Sequence, residues 1–156
     1  LELGFLQYDI SSYARPGSLS KHNQVYWGMG SYLGLGPSAH SMVFLPDGGI
    51  VRMHNQITVD QWMGTPASDL SLSFDRLDKQ QALKESLAFG LRNMHKGIDP
   101  DYLAKRHNGE LGRGFFQTLE KLKKNNWLEE SGTSIRITKE GALFADAIMR
   151  EILCSE

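Results

Sequence analysis

The sequence predicts an α+β fold in two parts: strands and loops over residues 1–65, a linker at 66–74, and a winged-helix-like helical region over 75–156. Three observations predict it. Short apolar runs bounded by Gly, Pro, Ser and Asp dominate the first part, as half-buried strands require. Gly64-Thr65-Pro66-Ala67-Ser68 then interrupts all periodicity with residues that fix or free the backbone. From Asp78 onward apolar residues recur at helical spacing, the mark of helices that bury one face.

In the first part, Gly4 to Ile10 carries Phe5, Leu6, Tyr8 and Ile10 and reads as one strand. Ser11 to Gly17 stops it, because Pro16 fixes φ and Gly17 permits a turn. Residues 18–31 are rich in Gly, Ser and Asn and read as a long loop carrying His22-Asn23-Gln24-Val25-Tyr26-Trp27. Loops of that length in a compact domain are commonly functional. Ala39 to Phe44 reads as a strand, Pro46-Asp47-Gly48-Gly49 as a hairpin turn, and Ile50 to Met53 as the returning strand. Ile57 to Met63 reads as a short helix.

In the second part, Asp78 with Gln81 forms a capping box for a helix with Leu83, Leu87, Leu91 and Met94 on one face, ended by Gly97. Asp99-Pro100 opens a short helix with Tyr102 and Leu103 facing inward, and His107 falls in a polar loop after it. A third helix from about Leu111 or Arg113 to Asn125 buries Phe115, Phe116, Leu119 and Leu122. Residues 127–137 make a hairpin turning at Ser131-Gly132-Thr133. Thr138 caps a closing helix whose apolar face is Leu143, Phe144, Ala147, Ile148 and Ile152.

At 156 residues, 40% hydrophobic and 22% charged, the chain suits one globular domain, or a small domain with part of another. No apolar run reaches the roughly 18 residues of a membrane span, and no basic segment followed by an apolar core marks a signal peptide. The single cysteine, Cys154, excludes an internal disulfide framework and a Cys-rich metal cluster built by this chain alone, and it suits a reducing cytoplasm. Residue 1 is Leu, and Leu1 to Tyr8 already approaches a strand, so the chain is expected to be a fragment of something longer.

A winged-helix outline raises duplex DNA as a target, with the third helix in the major groove. Arg113, Lys121, Lys123 and Lys124 do outweigh Glu120 there. Yet residues 99–156 hold nine Lys and Arg against ten Asp and Glu, and phosphate neutralisation needs an excess of cations. A stand-alone winged-helix nucleic-acid module is therefore the disfavoured alternative.

Chemistry concentrates between His22 and Ser41. His22 reads either as a hydrogen-bonded structural residue or as an axial ligand to a flat cofactor that Tyr26 and Trp27 would stack against. Gly34-Leu35-Gly36-Pro37-Ser38-Ala39-His40-Ser41 reads either as a tight turn where two backbones meet or as a place where backbone approaches a cofactor. A dinucleotide loop does not fit, because Pro37 sits inside the turn and no amphipathic helix follows. His40 either lines a pocket or packs. His54, His95 and His107 lack partners at metal-ligand spacing. No elbow serine, phosphate loop or zinc signature is present, so no catalytic residue is assigned.

Tyr8-Asp9-Ile10-Ser11-Ser12-Tyr13-Ala14-Arg15-Pro16-Gly17, the His-Asn-x-x-Tyr-Trp hexapeptide and the Gly-Leu-Gly-Pro-Ser-Ala-His-Ser motif together resemble the C-terminal portion of oxygen-independent coproporphyrinogen III oxidase-like proteins, radical S-adenosylmethionine proteins of haem metabolism. Ala88-Phe89-Gly90-Leu91-Arg92, Gly97-Ile98 and Ile137-Thr138-x-x-Gly141 extend the resemblance over nearly all of the chain.

The resemblance implies that residues 1–65 are the last strands and loops of a (β/α) barrel, followed by a small C-terminal domain that is not a DNA reader. The family's Cys-x-x-x-Cys-x-x-Cys motif for a [4Fe-4S] cluster is missing here, so the cluster, S-adenosyl-L-methionine and the radical chemistry of an oxidoreductase are expected in an N-terminal radical SAM domain of the parent. Two family functions compete, oxidative decarboxylation of coproporphyrinogen III and haem chaperoning to an acceptor protein. The hexapeptide is typical of the chaperone branch. By that resemblance His22 is the haem-iron ligand, with Asn23, Gln24, Tyr26 and Trp27 around it. Gly34 and Gly36 shape the cofactor wall, and His40 and Gln24 fall where oxidases line the S-adenosylmethionine pocket.

Overall fold

A computed structural model describes residues 3–55, 58–64 and 72–155 as a mixed α/β chain. Its first elements are antiparallel hairpins. Strand β1 (Leu6–Asp9) pairs with β2 (Ser12–Ala14), so the segment expected to end one strand instead supplies a second. Local side chains close this turn: Gln7 Nε2 donates to the Ile10 carbonyl (2.9 Å) and Ser12 Oγ to Asp9 Oδ2 (3.1 Å).

The loop expected at 18–31 contains a helix, α1 (Lys21–Trp27). Ser20 starts it, its hydroxyl accepting from the Asn23 amide (3.2 Å), as an N-cap serine does. Asn and Ser made this stretch read as a loop, whereas here they serve the helix end.

A three-stranded antiparallel sheet follows, ordered β3 (His40–Phe44), β4 (Ile50–Asn55) and β5 (Leu72–Leu77), with α2 (Val59–Gly64) between β4 and β5. The Pro46–Gly49 turn is where the sequence placed it. Strand β5 was not foreseen. It begins inside the expected linker and crosses the boundary set at residue 75; residues 66–71 of that linker, and Ile57, lie outside the described residues. In Leu72-Ser73-Phe74-Asp75-Arg76-Leu77 polar residues interrupt the apolar pattern, and pairing with the whole of β4 makes the strand. All described strand pairs are antiparallel, so these residues alone contain no parallel barrel unit.

Helix α3 (Lys79–Gly90) has the expected capping box between Asp78 and Gln81. It ends at Gly90, ahead of Gly97, because the chain must turn to bring Ile98 beside β7 (Ser134–Ile137), where Ile98 exchanges two backbone hydrogen bonds with Ile135. Gly90 and Gly97 permit this approach: a Cβ at Gly90 would lie 2.6 Å from Ile98 Cγ2, and Gly97 has φ +68° with its Cβ position 2.3 Å from the Ile135 carbonyl oxygen.

Helices α4 (Pro100–His107) and α5 (Arg113–Lys124), the β6 (Leu128–Ser131)–β7 hairpin, a short 3-10 turn at Gly141–Phe144 and α6 (Ala145–Leu153) complete the chain. Leu83, Leu87, Leu91, Phe115, Leu119, Leu122, Ile148 and Ile152 fill their common core. Tyr102 and Phe116, expected inside, face solvent, as do Leu143, Phe144 and Ala147. The 3-10 turn explains the last three: it shifts the phase of the closing helix, so Ala145, Ile148, Met149 and Ile152 form the buried stripe. Thr138 caps this 3-10 turn through the Gly141 amide (2.9 Å).

A second cluster, Met29, Met42, Ile50, Leu77 and Ala82, packs the three-stranded sheet on α3. The strand region and the helical region therefore share a core.

Candidate functional site

The hexapeptide occupies the whole of α1 after Lys21, and helical geometry divides it between two faces. His22 and Tyr26, four residues apart, are neighbours on one face: their rings meet edge-on with centroids 4.7 Å apart. Tyr26 in turn contacts Tyr32 at 4.4 Å, so the three rings form a row running out to His22. Burial pushes the Tyr32 hydroxyl pKa above its ordinary value, with Tyr26 adding to the shift and Arg52 opposing it. His22 is exposed, and its imidazole makes no hydrogen bond among the described residues.

Asn23 and Trp27 belong to the other side. Asn23 is tied to the helix start, with Ser20 Oγ 3.3 Å from its Oδ1. Trp27 turns inward: Nε1 donates to buried Asp9 (2.9 Å), and the Arg92 guanidinium lies 4.7 Å from its ring centroid. Gln24 and Trp27 border a cleft of about 440 Å³ whose other walls include Asn93, Lys96, Asp99 and Arg106. The expected group of four residues around His22 is thus split. Tyr26 accompanies His22, while Trp27 is held elsewhere.

The C-terminus of α1 closes with Met29 N–H on the Tyr26 carbonyl (3.0 Å) and Gly30 N–H on the Val25 carbonyl (2.8 Å), a Schellman arrangement. Met29, flanked by two glycines, takes the left-handed position at φ 47°. Its burial and two Arg106 hydrogen bonds, to the Gly28 and Met29 carbonyls (2.8 Å each), offset the strain.

The glycine motif wraps the start of β3. A Cβ at Gly34 would lie 2.1 Å from the His40 carbonyl oxygen, and the Gly34 amide donates to Ser41 Oγ (2.9 Å). At Gly34 two stretches of backbone therefore approach closely. Gly36 has φ +100° and gives its carbonyl to Asn55 Nδ2 (2.8 Å). His40 stacks on His54, directly across the sheet, at 4.2 Å and 5° between planes. Its ring neighbour is therefore His54, and that of His22 is Tyr26.

Among the described residues no three of His, Cys, Asp and Glu converge as a metal site. Cys154, the one cysteine, is exposed. These residues do not fit an iron–sulfur cluster. A haem iron is different, since it needs one imidazole nitrogen free of other partners; His22 meets that requirement, as do His40 and His95, and of these three His22 alone has a tyrosine ring against it.

Sequence reasoning assigned no role to Asp9, Arg92, Arg106 or Tyr32. One signal was present for Asp9, a lone carboxylate between Tyr8 and Ile10 in an apolar strand. His107 is corrected as well: it is the last residue of α4 and fully buried, between Ser86 and Gly48.

Residues 77–144 match the family described as HemN C-terminal domain. The chain is 32% identical over 161 residues to the mitochondrial radical S-adenosyl methionine domain-containing protein 1 of Danio rerio, covering 97% of this chain and 36% of that one. It is 26% identical over 156 residues to the heme chaperone HemW of Bacillus subtilis, covering 96% and 38%. The chain belongs with the C-terminal portion of the HemN/HemW-like proteins.

Among solved structures, coproporphyrinogen III oxidase (HemN) from Escherichia coli, a radical SAM enzyme, matches 98% of this chain and 38% of its own with a TM-score of 0.67 at 17% identity. That likeness is one of fold. This HemN/HemW-like chain spans little more than a third of the length of the relatives it matches end to end. No helix of the described residues is long and apolar enough to cross a membrane.

Proposed function

We propose that this chain is the C-terminal part of a haem chaperone and that His22 is its haem-iron ligand. The observation that carries the reading is the exposed, hydrogen-bond-free imidazole of His22, set edge-on against Tyr26. A neutral imidazole offers one nitrogen lone pair, and a ring without competing partners keeps that lone pair available. When bound, haem would supply an iron for His22 to hold through its free nitrogen and a flat π surface for the neighbouring aromatic rings.

Tyr26, backed by Tyr32, limits how the His22 ring turns and gives aromatic surface beside it. Asn23 completes the start of the helix that carries His22. Gln24 faces the neighbouring cleft. Gly34 and Gly36 let the following loop lie close to β3, which places His40 at the sheet edge. The chaperone name of the Bacillus subtilis relative favours this branch over the oxidase.

The same reading places S-adenosyl-L-methionine and a [4Fe-4S] cluster on an N-terminal radical SAM domain, the first partner of this chain, with a haem-acceptor protein as the second. It also takes the strands of residues 1–65 as the end of a barrel completed by that domain, the helices after β5 as winged-helix-like, and the compartment as the cytoplasm. The experiment is reconstitution of the full-length parent with cluster and S-adenosylmethionine, assayed both for decarboxylation of coproporphyrinogen III and for haem transfer to apo-acceptor. Transfer without decarboxylation supports the chaperone. Decarboxylation at substrate turnover replaces it with the oxidase.

A further inference from the structure

The motif Tyr8 to Ala14 lends no residue to the proposed haem site, yet its one carboxylate is buried. Asp9 is 1% exposed, a costly position for a carboxylate unless hydrogen bonds hold it. Its Oδ2 accepts from Trp27 Nε1 (2.9 Å) and Ser12 Oγ (3.1 Å). The other oxygen, and Nε of Arg92 beside the Trp27 ring, are buried with no hydrogen-bond partner among the described residues. Apart from Ser12, next to it in the hairpin, Asp9 is therefore committed to Trp27. Indole N–H is a donor only, so Trp27 has a matching need for an acceptor.

Helix α1 depends on such ties. It has seven residues and none of them is buried, far short of the length at which a helix persists alone. Its orientation is set by its ends: Ser20 at the start, and at the finish Trp27 on Asp9, under Arg92, with Arg106 holding the Gly28 and Met29 carbonyls. His22 and Trp27 share one short rigid rod, so fixing the indole fixes the direction in which the imidazole points.

We propose that Asp9 is a positioning residue which, by latching the indole of Trp27, aims His22. Trp27 is then the anchor of the haem-binding helix and takes no part as a wall of the porphyrin site. The inference rests on the reading of His22 as haem ligand.

Two measurements on the full-length protein test it: amide hydrogen exchange, and haem titration followed by the Soret band. Trp27→Phe keeps an aromatic ring under Arg92 and deletes only the N–H. Asp9→Leu removes the acceptor, and Asp9→Asn retains one. Losing one buried hydrogen bond is expected to speed exchange at amides 24–28, and to weaken haem binding, by about tenfold in Trp27→Phe and Asp9→Leu. Exchange in α3 and α5 should stay as in wild type, and Asp9→Asn should restore both readouts.

Unchanged α1 exchange in both disruptive variants would overturn the latch. So would equal acceleration across α3 and α5, or faster α1 exchange with unaltered haem affinity and Soret position. If His22→Ala, titrated alongside, leaves the haem spectrum unchanged, the ligand reading is what fails. The exchange data then decide by themselves whether Asp9 holds α1.

Discussion

Ser86 on α3 donates its hydroxyl hydrogen to Nε2 of His107 on α4 across 2.8 Å, and both residues are buried. The tautomer follows from the other ring nitrogen. Nδ1 lies 2.7 Å from the Gly48 carbonyl, which can only accept, so Nδ1 carries the proton and neutral Nε2 accepts from Ser86. One imidazole thus ties the β3–β4 turn to two helices. Gly48 is matched to it, with φ +92° and a Cβ position 2.0 Å from the His107 carbonyl oxygen.

Burial lowers the His107 pKa, Arg106 beside it lowers it further, and the Gly48 bond opposes them. In the unfolded chain a histidine titrates near about 6.5. Between that value and the lower folded one, the unfolded state binds more protons, so stability rises with pH. The contribution is complete above the unfolded pKa and is lost as pH falls from there toward the folded pKa. Thermal unfolding should show the midpoint dropping between neutral pH and mild acid, with a shallower drop in His107→Gln. Identical pH slopes for the two proteins would remove His107 as the cause.

Gly34→Ala is expected to destabilise at the upper end of the roughly 1–3 kcal/mol typical of overpacking. The added methyl meets backbone, the His40 carbonyl at 2.1 Å, and no flexible side chain is there to yield. Urea unfolding of the variant measures this directly. A midpoint equal to wild type would mean the glycine motif has freedom to move away from β3.

How much of this was legible in the sequence depended largely on how local the cause was, although α1 and the β1–β2 hairpin, both closed by contacts three residues apart, were missed. The Asp78 capping box, Pro100 opening α4 and the hairpin at Gly132 rest on residues within three or four positions, and each is where the sequence put it. Elements defined by distant partners were missed: β5 needs β4, and the end of α3 needs Ile98 to reach Ile135. In the candidate site, the hexapeptide was found as a unit, but its division into a His22–Tyr26 face and a Trp27 face was not. Reading it as a loop hid the four-residue period that separates them. Asp9 and Trp27, 18 positions apart, meet only in the folded chain.

Duplex DNA should not bind. On α5, Lys121 is paired with Glu151 and Lys123 with Glu120 and Glu130, leaving Arg113 and Lys124 without an ion pair among the described residues. Two cations give too little counterion release for measurable affinity at moderate salt. A gel-shift titration at low ionic strength is expected to show free duplex throughout, and a salt-sensitive shift abolished by Lys124→Ala would restore the winged-helix reader as a function.

The most direct test is haem titration of the full-length protein and its His22→Ala variant, followed by the Soret band. Removing even an outer-shell partner of a metal ligand costs roughly 10–100-fold in affinity, so loss of the ligand itself should exceed that and shift the Soret maximum. Wild-type affinity and spectrum retained in His22→Ala would contradict the assignment of His22 as the haem ligand.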